Sequence, residues 1–347
     1  MFRRDPSALA LERVSALLGR DLTALRPLLR LAMAQGGLLA VSRAGSPLIL
    51  PFGGVPETAA FELASVTKPF TAALAGALVQ ARRLDWEAPL RNLGGPLKPL
   101  PRSLTPHSLA THTAGLPMHP ARTALTTFTS YHDPYGTLSV QAALASATRW
   151  ANPRQAGRFL YSNLGMGVLA LACAQAAGES LSAAGYERAL RTWVTGPLGL
   201  QHTGLLPLAP VVTPAGWLGP GTLTSFGALA GAGGLFGTAR DLLTFGEAHL
   251  GGRAGRHWTE VHRPAGLPAT LTGVAPGWMV SGPARWHDGV ARGTRSGLGF
   301  HPDRGVVVAL LLRGGVPLWG ARGAGPLLLQ ALLGVGRAAA PTLPRQG

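Results

Sequence analysis

The distribution of strand-forming segments restricts the fold of this sequence more than any other feature. Residues 36–54, GGLLAVSRAGSPLILPFGG, predict two short strands around an Ala-Gly-Ser turn. Three further strand candidates lie near the other end, ARWHDGVA at 284–291, GTRSGLGFH at 293–301 and GVVVALLLRG at 305–314. Because short strands need partners to be stable, we expect both chain ends to meet in one sheet.

The region between these strands has helical rather than strand-like patterns. It is interrupted by Gly and Pro, and its helical stretches lie near residues 137–149, 161–177, 183–195 and 238–250. We therefore predict an α/β (α+β) fold in which an antiparallel sheet is flanked by helices and carries a mostly helical inserted lobe. A cleft between the two lobes is the expected place for a site.

We expect a single domain over residues 1–347. Leucines at helical spacing predict an N-terminal helical segment, and an apolar helix is predicted near residues 322–334. The predicted parts are an N-terminal helical segment (1–34), a sheet lobe (35–85 and 281–335), a helical lobe (86–280) and a tail (336–347).

The charge of the chain, formally +16, would ordinarily suggest a nucleic-acid partner. Of the 31 basic residues only Lys68 and Lys98 are lysines, and the arginines are spread along the whole chain. No aromatic residues interleave with a basic stripe, as a stacking platform for bases would require. We therefore expect no nucleic-acid partner. Cys173, the single cysteine, cannot form an internal disulfide.

The N-terminal stretch MFRRDPSALALERVSALLGR does not resemble an export signal, because acidic residues interrupt it before an apolar core can form. The most apolar stretches elsewhere are rich in Gly and Pro or broken by Arg, so none predicts a membrane span. We expect a cytoplasmic protein without a membrane partner. The sequence leaves its oligomeric state open.

Ser65 and Lys68, in ELASVTKPF, are the first candidates for chemistry. Residues at i and i+3 lie one turn apart on the same face of a helix. A hydroxyl becomes a good nucleophile when a neighbouring base takes its proton, and an amine of lowered pKa can be that base. Arg cannot replace it, because a guanidinium keeps its proton near neutral pH. A lysine in an arginine-rich chain therefore favours a catalytic base.

Further motifs follow in a fixed order: LATHTAGLP at 109–117, YSN at 161–163, AGAGGLFGTARDLLTF at 230–245 and HDG at 287–289. Together with S-x-x-K these motifs resemble the serine β-lactamase and penicillin-binding protein superfamily. The resemblance is to the branch that includes class C β-lactamases, D-alanyl-D-alanine carboxypeptidases, D-aminopeptidases and related esterases. It covers residues 37 to 315.

The resemblance implies a role for each matching residue. Ser65 is similar to the nucleophile that is acylated and then released by water. Lys68 and Tyr161 resemble the coupled base, and Asn163 resembles the amide that orients Lys68 and the substrate. The backbone N–H groups of Ser65 and Val290 would form the oxyanion hole. For Tyr161 to act as a base at pH 7, its pKa must fall about three units, and a neighbouring ammonium would be the source.

The HDG motif departs from the Lys-Thr-Gly of β-lactamases, since this chain has His287, Asp288 and Gly289. His287 can still donate a hydrogen bond to a substrate. Asp288 and Gly289 are expected to contact the substrate, and an Asp288 carboxylate would repel a substrate carboxylate. Arg292 or Arg295 would reverse that argument by neutralising Asp288.

Three functions remain open at this point. We expect a serine hydrolase that acts through an acyl-enzyme on Ser65, with small esters or amides as the preferred substrates. The alternatives are a D-amino-acid peptidase, carboxypeptidase or β-lactamase, which act on peptides or β-lactams, and a non-catalytic scaffold of the same fold. We expect no cofactor, because the glycines after residue 230 do not match G-x-G-x-x-G. HWTEVH at 257–262 matches no zinc-protease spacing, so we expect no metal.

Overall fold

A computed structural model describes residues 5–121, 123, 133–213, 223–314 and 323–335. Its main element is a seven-stranded antiparallel sheet in the order β2-β1-β9-β8-β7-β6-β5, and β3 and β4 pair separately. The strands are β1 (Gly37–Arg43), β2 (Ser46–Phe52), β3 (Ala60–Glu62), β4 (Phe236–Thr238), β5 (Gly273–Ala275), β6 (Trp278–Ser281), β7 (Ala284–Val290), β8 (Thr294–His301) and β9 (Val306–Arg313).

Helices fill most of the chain between β3 and β5 and also cover the sheet. A π-helical turn, Arg191–Thr195, extends one of them. The α-helices of the described residues are α1 (Pro6–Leu18), α2 (Arg26–Ala32), α3 (Thr67–Gln80), α4 (Pro106–Ala110), α5 (Val140–Trp150), α6 (Asn163–Ala176), α7 (Ala183–Leu190), α8 (Gly196–Leu198), α9 (Ala230–Gly233), α10 (Ala239–Leu250) and α11 (Ala324–Leu333).

The predicted N-terminal hairpin is present. Strands β1 and β2 pair from Gly37 opposite Phe52 to Arg43 opposite Ser46. The two connecting residues, Ala44 and Gly45, both have positive φ, 48° and 79°. Positive φ at both central positions gives a turn whose twist matches that of the flanking strands, which favours tight pairing.

Strand β9 joins the two chain ends. It pairs with β1 on one side and β8 on the other, so the N-terminal hairpin and the C-terminal strands form one sheet. Its sequence, VVVALLLR, is continuously apolar because seven of its eight residues are buried and helices cover both faces. The predicted fold class, a mixed α/β structure with an antiparallel sheet built from both ends, is confirmed.

Each face of the sheet has its own core. Leu39 and Leu310 point to the face that packs against α1, α2 and α11. Leu38 and Leu311, the neighbouring residues, point to the opposite face, where α3, α6 and α10 form the larger core. This alternation follows from the two-residue period of a strand.

The sheet begins earlier in the C-terminal half than the sequence indicates. We placed residues 86–280 in the helical lobe, but β5 and β6 lie within this range and extend the sheet beyond β7. The sheet segment therefore starts at Gly273 rather than residue 281. Strands of three and four residues are too short to show an alternating pattern, so the sequence gives no signal for them.

Within the described part of the chain, we find no helix with the length and apolar character needed to cross a membrane.

Candidate active site

Ser65 lies on a single 3-10 turn, Ala64–Val66, that continues directly into α3. Ala64 has a φ of 44°, in the left-handed region that side chains other than glycine rarely adopt. Such backbone strain is typical of functional sites, because the surrounding structure must hold it in place. The turn presents the Ser65 side chain to a cavity and places Lys68 beneath it.

The side-chain nitrogen of Lys68 has three neighbours within hydrogen-bonding distance. Nζ lies 2.8 Å from Oγ of Ser65, 2.8 Å from Oδ1 of Asn163 and 2.7 Å from the carbonyl oxygen of Ala232. The Lys68 side chain is fully buried. Burial lowers its pKa well below the usual value, and the charge of Asp288 opposes this effect in part.

The Gly-rich segment after residue 230 supplies the carbonyl of Ala232. It forms the short helix α9, and the last carbonyls of a helix have no partner within it. Lys68 binds one of these carbonyls, and the Thr71 hydroxyl donates to another, that of Gly231, over 2.7 Å. A Cβ at Gly231 would lie 2.1 Å from Cβ of Ala170, so glycine is required for this close approach.

This arrangement directs the lone pair of a neutral Lys68 amine. The oxygens of Asn163 and Ala232 accept hydrogen bonds and therefore use two N–H groups of Lys68. A neutral amine has two N–H groups and one lone pair, so its lone pair is left for the O–H of Ser65. The geometry is that of a base beside a nucleophile.

The orientation of the Asn163 amide is set by two residues that the sequence analysis did not assign to the site. Nδ2 of Asn163 donates to the Tyr135 hydroxyl over 3.1 Å, and that hydroxyl also makes a short hydrogen bond with Nδ1 of His119. With Nδ2 held by Tyr135, Oδ1 must face Lys68. Neither residue belongs to the motifs found in the sequence. Tyrosine is rare in this chain, with four residues, and this is the one feature that could have drawn attention to Tyr135.

Tyr161 lies where the resemblance places it, but its electrostatics differ from the expectation. Its ring is 4.8 Å from Nζ of Lys68, and its hydroxyl lies near enough to Ser65 to interact with that side chain. Burial raises the pKa of Tyr161 far above its usual value, while the contact with Ser65 lowers it only in part. The expected phenolate is therefore not supported, because a buried phenol strongly favours its neutral form.

The end of β7 lies against the backbone of the Ser65 turn. A Cβ at Gly289 would lie 2.3 Å from the carbonyl oxygen of Leu63 and 3.2 Å from the Ser65 nitrogen, so only glycine permits the approach. The hydroxyl of Ser296 donates to the same Leu63 carbonyl over 2.5 Å. These contacts bring the backbone of Gly289 and Val290 close to Ser65.

The backbone N–H of Val290 points away from β8. Ala291 donates to the Thr294 carbonyl, so these two residues form a hydrogen-bonded pair. The next pair, Val290 opposite Arg295, must then be a non-hydrogen-bonded pair. Strand β6 pairs with β7 only as far as Trp286, so the edge of β7 near Val290 is not covered by it. The N–H groups of Val290 and Ser65 are thus both available to an oxyanion.

His287 does not occupy the position that we expected. Its Nδ1 lies 2.7 Å from the carbonyl oxygen of Asp288, which can only accept, so Nδ1 carries the proton. Burial lowers the pKa of His287 to about 3, with a further contribution from Lys68, and the ring is neutral. Its single N–H is therefore already used, and the predicted hydrogen bond from His287 to a substrate is not available. The ring lies beside Tyr161, with 6.1 Å between centroids.

Asp288 lines the cavity, and Arg295 lies near it on the adjacent strand. Val290 pairs with Arg295, so Asp288, two residues before Val290, shares a sheet face with Arg295. Burial raises the pKa of Asp288, and the charges of Lys68 and Arg295 lower it. Arg295, one of the two arginines considered from the sequence, therefore acts on Asp288 through its charge.

His112 is a structural residue. Its Nδ1 accepts the backbone N–H of Ser162 over 3.2 Å, and its ring lies 4.5 Å from that of Tyr161. Burial lowers the pKa of His112 well below its usual value, so the ring is neutral. It therefore holds the segment that carries Tyr161 and Asn163 in place.

Side chains of the HWTEVH segment diverge rather than converge on a metal. His257 is partly buried beside His249, with 5.7 Å between ring centroids. His262 instead faces His107, with 2.8 Å between their Nε2 atoms. Among the residues that the structure describes, no three His, Cys, Asp or Glu side chains form a group that could hold a metal ion.

A cavity of about 550 Å³ opens beside Ser65. Tyr161, Asn163, Gly289 and Val290 line it together with Ser65, and it extends from there across the sheet face towards α2 and α11. This volume is within the range of about 300–1,000 Å³ that is usual for small-molecule sites. The predicted residues, except for the buried Lys68 and His287, therefore lie around one cavity.

Comparison with known proteins identifies the family. A sequence profile of the family described as Beta-lactamase matches residues 25–333. The chain belongs to the beta-lactamase family. It is a serine hydrolase of the β-lactamase-related type. Among proteins with curated functions, none is significantly similar in sequence.

Several solved structures are similar to this chain in fold. A structure of SurE with D-Leu has 25% identity and a TM-score of 0.69, covering 98% of this chain and 79% of that one. A D-stereospecific amidohydrolase from Streptomyces sp. has 21% identity and a TM-score of 0.68, covering 84% and 94%. A beta-lactamase/D-alanine carboxypeptidase from Pseudomonas syringae has 18% identity and a TM-score of 0.74, covering 93% and 99%.

Proposed function

We propose that this beta-lactamase-family protein cleaves small esters or amides through an acyl-enzyme on Ser65. The observation that carries the proposal is the set of three contacts around Nζ of Lys68. Two acceptors hold the amine so that its lone pair faces the Ser65 hydroxyl. Because burial lowers the pKa of Lys68, the neutral amine is accessible without strongly alkaline conditions.

In acylation, the Lys68 amine takes the hydroxyl proton as Oγ of Ser65 attacks the substrate carbonyl. The carbonyl oxygen gains negative charge, and the N–H groups of Ser65 and Val290 stabilise it. As the bond to the leaving group breaks, the proton on Lys68 passes to the leaving oxygen or nitrogen. The Tyr161 hydroxyl, which is neutral and contacts Ser65, acts as the relay for this proton.

In deacylation, water attacks the acyl carbonyl and gives a proton to the Lys68 amine. The ester bond to Oγ of Ser65 then breaks, and Oγ recovers the proton from Lys68. The same base therefore serves both steps, and the free acid is released. Asn163 contributes by holding the amine through Oδ1 and does not itself exchange a proton.

Small esters and amides without an essential carboxylate are the proposed substrates because of Asp288. This carboxylate lines the cavity, where a second carboxylate would experience repulsion of roughly 4 kcal/mol at 4 Å and an effective dielectric of about 20. Gly289, the other predicted substrate contact, lets the strand edge approach the scissile bond.

A second candidate is a D-amino-acid peptidase, carboxypeptidase or β-lactamase. Arg295 favours it, because its positive charge near Asp288 offsets the repulsion of a substrate carboxylate. The Streptomyces structure is described as D-stereospecific and the Pseudomonas structure as a carboxypeptidase, which supports the same candidate. A substrate panel with and without a free carboxylate separates the two functions.

Intact mass spectrometry tests the proposal. The protein is incubated with p-nitrophenyl acetate, nitrocefin or a fluorophosphonate, and the adduct is located by peptide mapping. We expect turnover or a stable adduct on Ser65, and none with Ser65→Ala. If no probe modifies Ser65, the protein is a non-catalytic scaffold of this fold. The cytoplasmic location remains a prediction, which cell fractionation tests.

A further inference from the structure

The cavity beside Ser65 is much larger than a short acyl group and has mostly apolar walls. Its inner wall is the sheet face formed by Trp286, Met279, Leu310 and Leu312. Helix α2 and the start of α11 cover this face from the opposite side. An acetyl or butanoyl group next to Ser65 would leave most of the 550 Å³ filled with water against apolar side chains.

The rim of the cavity is also apolar, although it is exposed to solvent. Leu31, Met118 and Val290 are 46%, 48% and 60% exposed, and all three line the cavity. Large apolar side chains on a surface are unremarkable singly, but a group around one opening indicates a binding site. An apolar substrate would remove these three side chains from water as it enters.

Several polar groups of the cavity lie at the Ser65 end, and Gln35 and Thr270 also line the cavity. Tyr161, Asn163 and Asp288 lie at the Ser65 end, and Arg295 offsets the charge of Asp288. Arg313 lines the cavity near α11, but its Nε donates to the Thr213 carbonyl over 3.2 Å. The cavity thus has a polar reacting end and a long part, called the apolar part, whose walls are mostly apolar.

We propose that the apolar part binds a hydrocarbon chain of the substrate, so that the preferred substrates are esters or amides with a chain of about eight to twelve carbons. The chain lies on the acyl or the leaving-group side of the scissile bond. This inference rests on the proposed hydrolysis at Ser65 and adds the substrate class. The N-terminal helical segment, through α2, then has a direct role in specificity.

Two ester series test the inference. One varies the acyl chain of p-nitrophenyl esters from two to twelve carbons, and the other varies the alkyl alcohol of acetate esters. We expect kcat/KM to increase with chain length in one series by up to about fourfold per methylene, the full value of burying a CH₂ group. A constant or falling kcat/KM in both series would overturn the inference.

Two exposed leucines provide a matched pair of variants. Leu31 and Leu9 are 46% and 45% exposed on the N-terminal helices, but only Leu31 lines the cavity. We expect Leu31→Gln to lower kcat/KM for the ten-carbon ester about threefold to tenfold more than kcat/KM for the two-carbon ester. Leu9→Gln should change neither. Equal effects of the two variants would contradict the inference.

A substitution that fills part of the cavity tests directly whether the substrate chain occupies it. Ala34 is exposed in the turn after α2 and lines the cavity, so Ala34→Trp adds bulk there without changing the core. We expect the chain length at which kcat/KM is highest to become shorter by several carbons. An unchanged chain-length profile would count against a substrate chain in this part of the cavity.

A binding measurement separates failure of this inference from failure of the proposed reaction. Ser65→Ala is titrated calorimetrically with methyl alkyl ketones, from 2-butanone to 2-decanone, which cannot be hydrolysed. We expect the affinity to increase with chain length. If the affinity increases with chain length but the wild-type protein hydrolyses no ester, the proposed reaction is refuted and the binding of a hydrocarbon chain is retained. If the protein hydrolyses esters but neither affinity nor kcat/KM depends on chain length, the inferred substrate class is refuted and the proposed reaction is retained.

Discussion

Lys68 donates a hydrogen bond to the carbonyl oxygen of Ala232 over 2.7 Å, across a separation of 164 residues. This contact, together with that to Asn163, determines which way the amine faces. Because the two acceptors use both N–H groups of a neutral Lys68, its lone pair is left for the hydroxyl. A chain segment with no ionisable side chain therefore sets the direction of the proposed base.

Replacement of Lys68 by Arg should abolish turnover although the positive charge is retained. A guanidinium does not give up its proton, so it cannot accept one from Ser65. We expect kcat/KM to fall by at least about 100-fold, the lower limit for general-base catalysis. The measurement is p-nitrophenyl ester hydrolysis. Lys98→Arg is the matched control, since Lys98 is the other lysine and is exposed. A Lys68→Arg variant with most of its activity would exclude this base.

Replacement of Asp288 by Asn should shift the pH dependence of kcat/KM to lower pH. Activity requires neutral Lys68 and is therefore lost as pH falls through the Lys68 pKa. The charge of Asp288 raises that pKa, so its removal lowers the pKa further and extends activity to more acidic conditions. The midpoint of the acidic limb is the measurement. A shift to higher pH would show that Lys68 is not the group that titrates.

Removal of the Val290 N–H breaks no hydrogen bond between β7 and β8. It points away from β8, so Val290→Pro deletes an oxyanion donor and leaves the strand pairing intact. We expect kcat to fall about 100-fold to 1,000-fold. Val290→Ala, which keeps the N–H, should keep its activity on the acetate ester. Equal activity of the two variants would place the oxyanion hole elsewhere.

Tyr135 should affect catalysis through Asn163. Tyr135→Phe removes the hydroxyl that accepts from Nδ2 but keeps the ring, which stacks on Phe226 with 5.0 Å between centroids. Loss of one hydrogen bond of about 1 kcal/mol predicts a roughly fivefold lower kcat. The acidic limb of the pH profile should also move, because the contacts of Lys68 change, whereas the melting temperature should change little. A lower melting temperature with unchanged kcat and pH profile would mean that Tyr135 has only a structural role.

Acid should destabilise the protein through His249 and His257. Burial lowers their pKa values to about 4 and about 3, below the 6.5 of an exposed histidine. The unfolded state therefore binds protons first as pH falls below 6.5. Each histidine then costs about 1.4 kcal/mol of unfolding free energy per pH unit until its folded-state pKa is reached.

Urea unfolding between pH 7 and pH 4 measures this effect. We expect the free energy of unfolding of His257→Phe to fall less steeply with pH than that of the wild type. His202→Gln, at an exposed position, is the control and should keep the wild-type slope. Equal slopes for all three proteins would show that the buried histidines do not cause the acid sensitivity.

Much of the fold could be predicted from the sequence, because its signals are local. The Ala-Gly turn of the β1–β2 hairpin, the continuous apolar run of β9 and the helical spacing of the middle region each depend on neighbouring residues only. The same holds for Ser65 and Lys68, whose three-residue spacing brings them together once the 3-10 turn and α3 form one helical segment. Strands β5 and β6 were missed because each is too short to show a period.

The tertiary structure decided the chemical state of the site. Whether Lys68 is a neutral amine and Tyr161 a neutral phenol depends on burial and on partners such as Ala232, which lie far away in the sequence. The same applies to His287, whose N–H is taken by a backbone carbonyl, and to the cavity that α2 and α11 close over the sheet. A pKa is set by the groups packed around a residue, and a one-dimensional pattern does not contain those contacts.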